Sequence, residues 1–364
     1  MKICYLADIK SQHTEKWCKY FLEKGYEIHV ISLRSGEIEG VTVHSLEMDN
    51  SIAQKENSSD KIGYLKKVMR VRELVNEINP DILHAHYASS YGLLGALCNY
   101  HPYIISLWGS DVLLFPKEGF IQKNILKYNF KKADGIFSTS QYMAREAKKY
   151  TNKNIHITPF GIDINIFDDK EKRSIDEINI GIVKSLEKVY GIEYLINAFD
   201  SIVNKYPDKK ISLNIIGEGT QEKPLKDLVK KLRLENKVNF LGTMPLEKIG
   251  EFYNKMHIAV VPSLSESFGV TVLEAQACGI PVVVSDIEAF EETTIVGETS
   301  LMCKKKDVDS LAECLEKLIL DKDLRVEMGR KGRLFARENY EANSIFTNID
   351  NLYKDINKVV VSKK

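Results

Sequence analysis

Two glutamates eight positions apart, Glu266 and Glu274 in "SLSESFGVTVLEAQACGIPVVVSD" at residues 263 to 286, are the residues of this chain best placed to do chemistry. The apolar run before Ser263 reads as a strand, and a helix is expected from about Val270 until Gly279 and Pro281 stop it. Glu266 then precedes the helix, while Glu274 lies inside it beside an apolar stripe of Val270, Leu273 and Ala277. Taken alone, such a pair has a structural use: the helix dipole favours Glu266, and a salt bridge satisfies Glu274. The surroundings point further. Backbone N–H groups at Phe268, Gly269 and Val270 open a helix that follows a strand, which makes a site for phosphate. Glu266 is then poised beside whatever the phosphate carries, and Glu274 can accept hydrogen bonds from sugar hydroxyls one turn away. A glycoside hydrolase also uses two carboxylates, at roughly 5 to 9.5 Å across one bond. Here, however, one of the pair projects from a helix whose start is arranged to hold an anion.

Strands and amphipathic helices that must position this stretch alternate along the chain twice over. "KICYLAD", "EIHVISL", "DILHAHY", "YIISLW" and "GIFSTS" are short apolar runs suited to parallel strands covered on both faces, with "HTEKWCKYFLEKGY", "SSYGLLGALCNY" and "SQYMAREAKKY" as helices among them. A charged break at residues 163 to 177, "DINIFDDKEKRSIDE", reads as an exposed linker or loop. A second series follows, with strands "INIGIV", "ISLNIIG", "VNFLG", "IAVVPS" and "PVVVSD" and helices "GIEYLINAFDSIVNKY" and "PLKDLVKKLRL". Two doubly wound α/β sheets joined near residue 165 are expected, with ligands outside the carboxyl ends of their strands. The division expected is 1–163, 164–343 and a last helix, 344–364, crossing back to the first domain.

Composition excludes several classes. The 364 residues carry 51 basic and 51 acidic side chains, so no overall field recommends nucleic acid as a partner. Six scattered cysteines with no C-x-x-C spacing read as reduced, buried thiols of a cytosolic protein. No apolar stretch approaches the ~18 residues needed to span a bilayer. Residues 61 to 75, "KIGYLKKVMRVRELV", set Lys61, Lys66, Lys67, Arg70 and Arg72 beside Tyr64, Leu65, Val68 and Val71. That helix is either a solvated face or a surface for anionic lipid.

The chain resembles the retaining glycosyltransferases of family 4, which have the GT-B fold of two facing Rossmann-like domains with the active site in the cleft between them. The resemblance covers nearly the whole chain. It is carried by the E-x7-E segment "ESFGVTVLE" with "AQACGIPVVVSD" after it, by "PFGIDINIF" at 159 to 167, by "IIGEGTQEKPL" and by "VNFLGTMP". It implies that Glu266 contacts the donor sugar, that Glu274 holds the ribose, and that the Phe268 and Gly269 amides face the diphosphate or sugar. Ser267, Val270, Gly217, Gly242 and Met244 complete the implied donor site.

Departures from the family pattern are specific. In "IVKSLEKVYG", Lys184 occupies the position of the family's arginine, and Tyr190 stands where its lysine is expected, with Lys188 two residues earlier. Lysine neutralises phosphate as a point charge without arginine's fork. Lys184 and Lys188 are the expected charge-neutralising pair, against the alternative of two solvated loop lysines. In "SLWGSD", Trp108 replaces a histidine, and Asp111 follows it on the acceptor side. His86 in "HAHY" is polar toward the acceptor, or His84 and His86 are structural. "EAFEE" keeps an acid at Glu292, and His13 in "SQHTEKW" is the contact expected in the loop after the first strand.

The expectation is metal-independent, cofactor-free transfer of a sugar, with retention, from a nucleotide diphosphate to a saccharide or lipid-linked acceptor. The setting implied is bacterial capsule, O-antigen or exopolysaccharide assembly, in the cytoplasm and peripherally at the membrane. No D-x-D ends a strand in a plausible donor site, so lysines and a helix terminus take the place of a metal ion. A sugar-nucleotide epimerase of the same fold and a non-catalytic nucleotide-sugar binder are the alternatives.

Overall fold

The computed structural model describes residues 1–47, 65–170, 173 and 177–362. The chain divides into two compact units, Met1–Phe160 with Ile345–Lys364, and Gly161–Ser344. In the first unit β1 (Lys2–Leu6), α1 (Gln12–Glu23), β2 (Glu27–Ser32), β3 (Thr42–Ser45), α2 (Val68–Ile78), β4 (Ile82–His86), α3 (Ser90–Cys98) and β5 (Tyr103–Leu107) come first. They are followed by α4 (Ser110–Leu113), α5 (Phe120–Lys132), β6 (Gly135–Ser138), α6 (Gln141–Ala147) and β7 (His156–Ile157). The strands form one parallel sheet in the order β3-β2-β1-β4-β5-β6-β7. β4, β5 and β6 are buried at every position because helices cover both faces, which is why their sequences are apolar runs without alternation.

In the second unit β8 (Ile178–Val183), α7 (Ile192–Lys205), β9 (Ile211–Ile216), α8 (Glu222–Lys231), β10 (Val238–Phe240), α9 (Leu246–Tyr253) and β11 (Ile258–Val261) come first. Then come α10 (Val270–Ala277), β12 (Val282–Ser285), β13 (Ser300–Cys303), α11 (Val308–Leu320) and α12 (Lys322–Tyr340). Its parallel sheet runs β10-β9-β8-β11-β12-β13. The order steps outward from β8 in one direction and then restarts at β11 in the other. The crevice beyond the carboxyl ends of β8 and β11 is therefore where such a sheet takes a ligand. The last helix, α13 (Ala342–Val361), starts in the second unit and continues in the first. There Phe346 stacks on Tyr20 at 4.8 Å, and the Tyr26 hydroxyl donates to Asp350 at 2.6 Å.

Several expectations need correction. β3, β7 and β13 are edge or near-edge strands of two to four residues, too short to stand out in the sequence. Residues 61–64 of the basic stretch lie outside the described residues. Of the rest, Val71 is fully buried with Leu74, Val75 and Ile78, and Val68 packs against the same core. Val68 and Val71 are thus spent on the core, while Leu65 and Met69 remain exposed. The start of the break, residues 163–168, is also less exposed than its charge suggests. Phe167 is buried against Tyr253, with ring centroids 5.9 Å apart, and the Asp168 carboxylate accepts from Arg333 at 2.6 Å and Arg337 at 2.9 Å on α12. All six cysteines are unpaired and five are buried, and burial pushes the Cys18, Cys278 and Cys303 thiols up to about 12.

Candidate active site

The loops at the carboxyl ends of the second unit's strands are held together by backbone contacts. Gly217, just after β9, has φ +134, and a Cβ there would lie 2.0 Å from the Lys184 carbonyl oxygen. Only glycine fits that approach. Its N–H donates to the Gly242 carbonyl at 2.8 Å, and Leu264 N–H donates to Val189 O at 2.7 Å. The Glu187 carboxylate accepts from the Thr220 N–H at 2.9 Å and from the Thr220 hydroxyl, closing the glycine turn. The loops after β8, β9, β10 and β11 are thereby set against one another with little freedom.

At the switch point two residues distant in sequence meet. The Lys184 ammonium, just past β8, forms an ion pair with the Glu266 carboxylate, just past β11, and the side chains are 13% and 9% exposed. Glu266 Oε1 also accepts from the Ser263 hydroxyl at 3.1 Å, and Ser285 Oγ at the end of β12 donates to the Ser263 carbonyl at 2.5 Å. Lys184 Nζ lies 4.6 Å from the centre of the Tyr190 ring. Burial raises the Tyr190 phenol pKa, so the ring stays neutral. An anion arriving here meets a cation held by a carboxylate and an aromatic ring.

α10 starts at Gly269, whose φ of +91 turns the chain into the helix, and a Cβ there would lie 2.7 Å from the Phe290 ring. This fixes the orphan amides of the first turn. Phe268 is buried against Tyr340 at 5.6 Å, whereas Ser267 and Val270 are half-buried. The stripe expected along α10 is broader than the sequence suggests, because Val272, Leu273, Ala275, Gln276 and Ala277 are all buried and Val270 is not among them. Glu274 is half-buried, and its Oε2 lies 3.5 Å from the Tyr253 hydroxyl, which also donates to Thr271 O at 3.2 Å. Glu274→Gln is expected to raise the donor KM by about one to two decades with little change in kcat. That is the loss of roughly 1.5–3 kcal/mol from a charged acceptor working equally in ground and transition states. Steady-state kinetics on a variant with wild-type melting checks it.

The other candidates of this unit are placed as follows. Lys188 opens the 3-10 turn Lys188–Tyr190 and is exposed, so it lacks the buried setting of Lys184. Gly242 has φ +67 and Met244 is half-buried in the segment after β10. Glu292 is half-buried, and its carbonyl accepts from the Tyr340 hydroxyl at 2.6 Å.

In the first unit the acceptor-side candidates form an aromatic cluster. His13 stacks on Phe160 at 3.7 Å and 12°, and meets Trp108 edge-on at 5.7 Å; Trp108 lies 4.6 Å from His86. Burial holds the His13 imidazole down to about 4, so it is neutral at pH 7 and offers no charge to a phosphate. His86 is buried with Nδ1 3.5 Å from Thr14 Oγ1. His84 is held by Tyr353 at 2.6 Å and Ser106 at 2.8 Å, which makes it a tie between α13 and the sheet. Asp111 is fully buried and accepts from the N–H groups of Ala88 and Gly109, each at 2.8 Å, and of Trp108 at 3.2 Å. Desolvation raises its pKa to about 6. With its carboxylate so engaged, Asp111 organises the loops that carry Tyr87 and Trp108. Asp111→Ala should cost about 1–3 kcal/mol by leaving those amides unpaired, read as a lower urea midpoint; an unchanged midpoint would contradict the role.

Sequence reasoning missed Ser263, Tyr253, Phe290 and Phe160. Ser263 carried a signal, three residues before Glu266 at a strand end. The other three come from elements remote in sequence, and only the tertiary fold brings them in.

Comparison with known proteins agrees with this architecture. The family described as glycosyl transferases group 1 matches residues 163–335, and the glycosyl transferase 4-like family matches residues 2–140. The chain is 23% identical over 359 residues to N-acetyl-alpha-D-glucosaminyl L-malate synthase of Bacillus anthracis, covering 93% of this chain and 91% of that one. It is 30% identical over 204 residues to the capsular polysaccharide biosynthesis glycosyltransferase CapM of Staphylococcus aureus, covering 56% and 53%. Among solved structures it is similar to sucrose-phosphate synthase from Thermosynechococcus elongatus, with TM-score 0.84, 18% identity and 98% and 99% of the two chains covered. It is also similar to HepE of Anabaena in complex with UDP and glucose, with TM-score 0.79, 18% identity and 98% and 100% covered. Two parallel α/β sheets of the same strand order, these family matches and these neighbours make the chain a GT-B glycosyltransferase.

Proposed function

We propose that the protein transfers a hexosyl or N-acetylhexosaminyl group, with retention and without a metal ion or other cofactor, from a UDP-sugar to a saccharide or lipid-linked acceptor. The setting is the assembly of a bacterial surface polysaccharide, at the cytoplasmic face of the membrane. The observation that carries the reading is the Lys184–Glu266 pair at the switch point, beside the start of α10. Departure of the nucleotide leaves negative charge on the β-phosphate, and catalysis is largely stabilisation of that charge. Lys184 faces it from one side and the amides of Phe268, Gly269 and Val270 from the helix start. As Lys184 turns from Glu266 to the phosphate, the Glu266 carboxylate is released to accept from a hydroxyl of the transferred sugar. Glu274 takes the ribose hydroxyls one turn along. The leaving phosphate oxygen accepts the acceptor's proton on the face it departs from, which gives retention. CapM supports the polysaccharide setting and HepE the uridine base, each as a property of that protein.

The test is incubation with labelled UDP- and GDP-sugars, with and without saccharide and lipid-linked acceptors, in EDTA. Transfer or slow donor hydrolysis that survives EDTA is expected, because Lys184 and helix amides do the work of a cation. An epimerised donor would make the protein an epimerase, binding without any product a nucleotide-sugar binder. Complete loss in EDTA restored by Mg²⁺ or Mn²⁺ would contradict the mechanism.

A further inference from the structure

The surface of the first unit carries one feature that donor chemistry does not use. After β5 the chain runs through α4 and a short turn into α5, and in this stretch Leu114, Phe120 and Ile121 are 59%, 69% or more exposed, Phe120 reaching 81%. Leu126, Asn129 and Phe130 fix the inner face of α5 in the core, so the helix cannot roll to hide the others. Between Val112 and Ala133 the sequence has five lysines, Lys117, Lys123, Lys127, Lys131 and Lys132, against one acid, Glu118. The solvent side of α5 is thus an aromatic and aliphatic first turn followed by cations, with Tyr128 half-exposed under Lys132 Nζ at 5.9 Å. Large apolar side chains exposed together mark a surface meant to be covered.

We propose that this face docks on the anionic interface of a lipid bilayer, Phe120 and Ile121 entering the acyl boundary and the α5 lysines lying among the headgroups. Charge selects this occupant. A second copy docking by the same patch would set like lysines against each other, whereas an anionic headgroup layer complements them. By the βαβ path, the first turn of α5 lies on the carboxyl side of the sheet, next to the loop that holds Trp108 and Asp111. Docking therefore brings that loop to the membrane. The consequence for a lipid-linked acceptor rests on the proposed transfer reaction, while the docking itself does not.

The experiment is co-sedimentation of the full chain with equimolar phosphatidylglycerol/phosphatidylcholine vesicles and with pure phosphatidylcholine vesicles, at low and high salt. Salt-sensitive binding to the anionic vesicles is expected, about tenfold or more above the neutral ones. Phe120→Ser/Ile121→Ser and Lys123→Glu/Lys127→Glu should each weaken it about tenfold or more with unchanged circular dichroism. Lys230→Glu/Lys231→Glu, an equal charge change on α8, should not. Absence of binding, equal binding to both vesicles, patch variants that bind like wild type, or a control that falls equally would overturn the proposal. So would a wild-type dimer that the Phe120/Ile121 change converts to monomer, since the occupant is then a second copy. None of these readouts depends on turnover, so a failure here leaves the transfer reaction to its own test.

Discussion

Replacing Lys184 by methionine is expected to lower kcat/KM for the donor by about 10²- to 10³-fold, equivalent to roughly 2.7–4 kcal/mol of transition-state stabilisation. The side chain is 13% exposed, and its ammonium is held between the Glu266 carboxylate and the Tyr190 ring. In such a place a charge is little screened by water. On the proposed mechanism the leaving diphosphate gains negative charge as the glycosidic bond breaks, so its interaction with Lys184 strengthens along the reaction and the loss appears in kcat. Methionine keeps the length and removes the charge. It also strands the Glu266 carboxylate, at a stability cost on the order of 3 kcal/mol, so kinetics belong well below the variant's melting temperature. Lys184→Arg keeps the cation and should retain most of the activity. Near-wild-type turnover in Lys184→Met would remove Lys184 from the chemistry.

Glu266→Gln is expected to lower kcat and kcat/KM together, by about 10²-fold or more, with the donor Kd changed far less. Glutamine preserves the volume and can still accept from Ser263 Oγ, which limits structural damage. What it loses is the ion pair with Lys184 and, on the proposed mechanism, the charge facing the reacting sugar. Because both residues belong to one pair, the double variant Lys184→Met/Glu266→Gln should be less impaired than the product of the single effects. Multiplicative losses would mean that the two act apart. Donor binding measured by calorimetry separates a transition-state role from a ground-state one.

Most of this site was legible as a list of residues and little of it as an arrangement. Glu266, Glu274, Gly269 and the start of α10 follow from one continuous stretch, where a strand end, a glycine and an apolar helix fix the geometry locally. Lys184 is singled out by the family resemblance, as the residue at the position of the family's arginine. Its direct pairing with Glu266 depends on β8 lying beside β11, a crossover that no local pattern encodes. The same limit explains α2, whose lysines and arginines read either as a solvated face or as a lipid surface because sequence cannot say which side of a helix the core takes. Asp111 reads as an acceptor-side residue and His84 as a structural one. Both are consumed by hydrogen bonds to partners that only folding supplies, three backbone amides in one case and Tyr353 and Ser106 in the other. The exposed first turn of α5 escaped notice because Phe120 and Ile121 are indistinguishable in sequence from core residues.

The most direct test of the central claim is a proton NMR time course of UDP-sugar turnover by the wild-type protein in EDTA, with water or an acceptor alcohol receiving the sugar. The claim is that the Lys184–Glu266 pair at the start of α10 supports glycosyl transfer with retention. Predicted is a first-formed product with the anomeric configuration of the donor, at a rate that falls by about 10² or more in both Lys184→Met and Glu266→Gln. A first-formed product of opposite configuration, or a rate that neither substitution lowers, would contradict it.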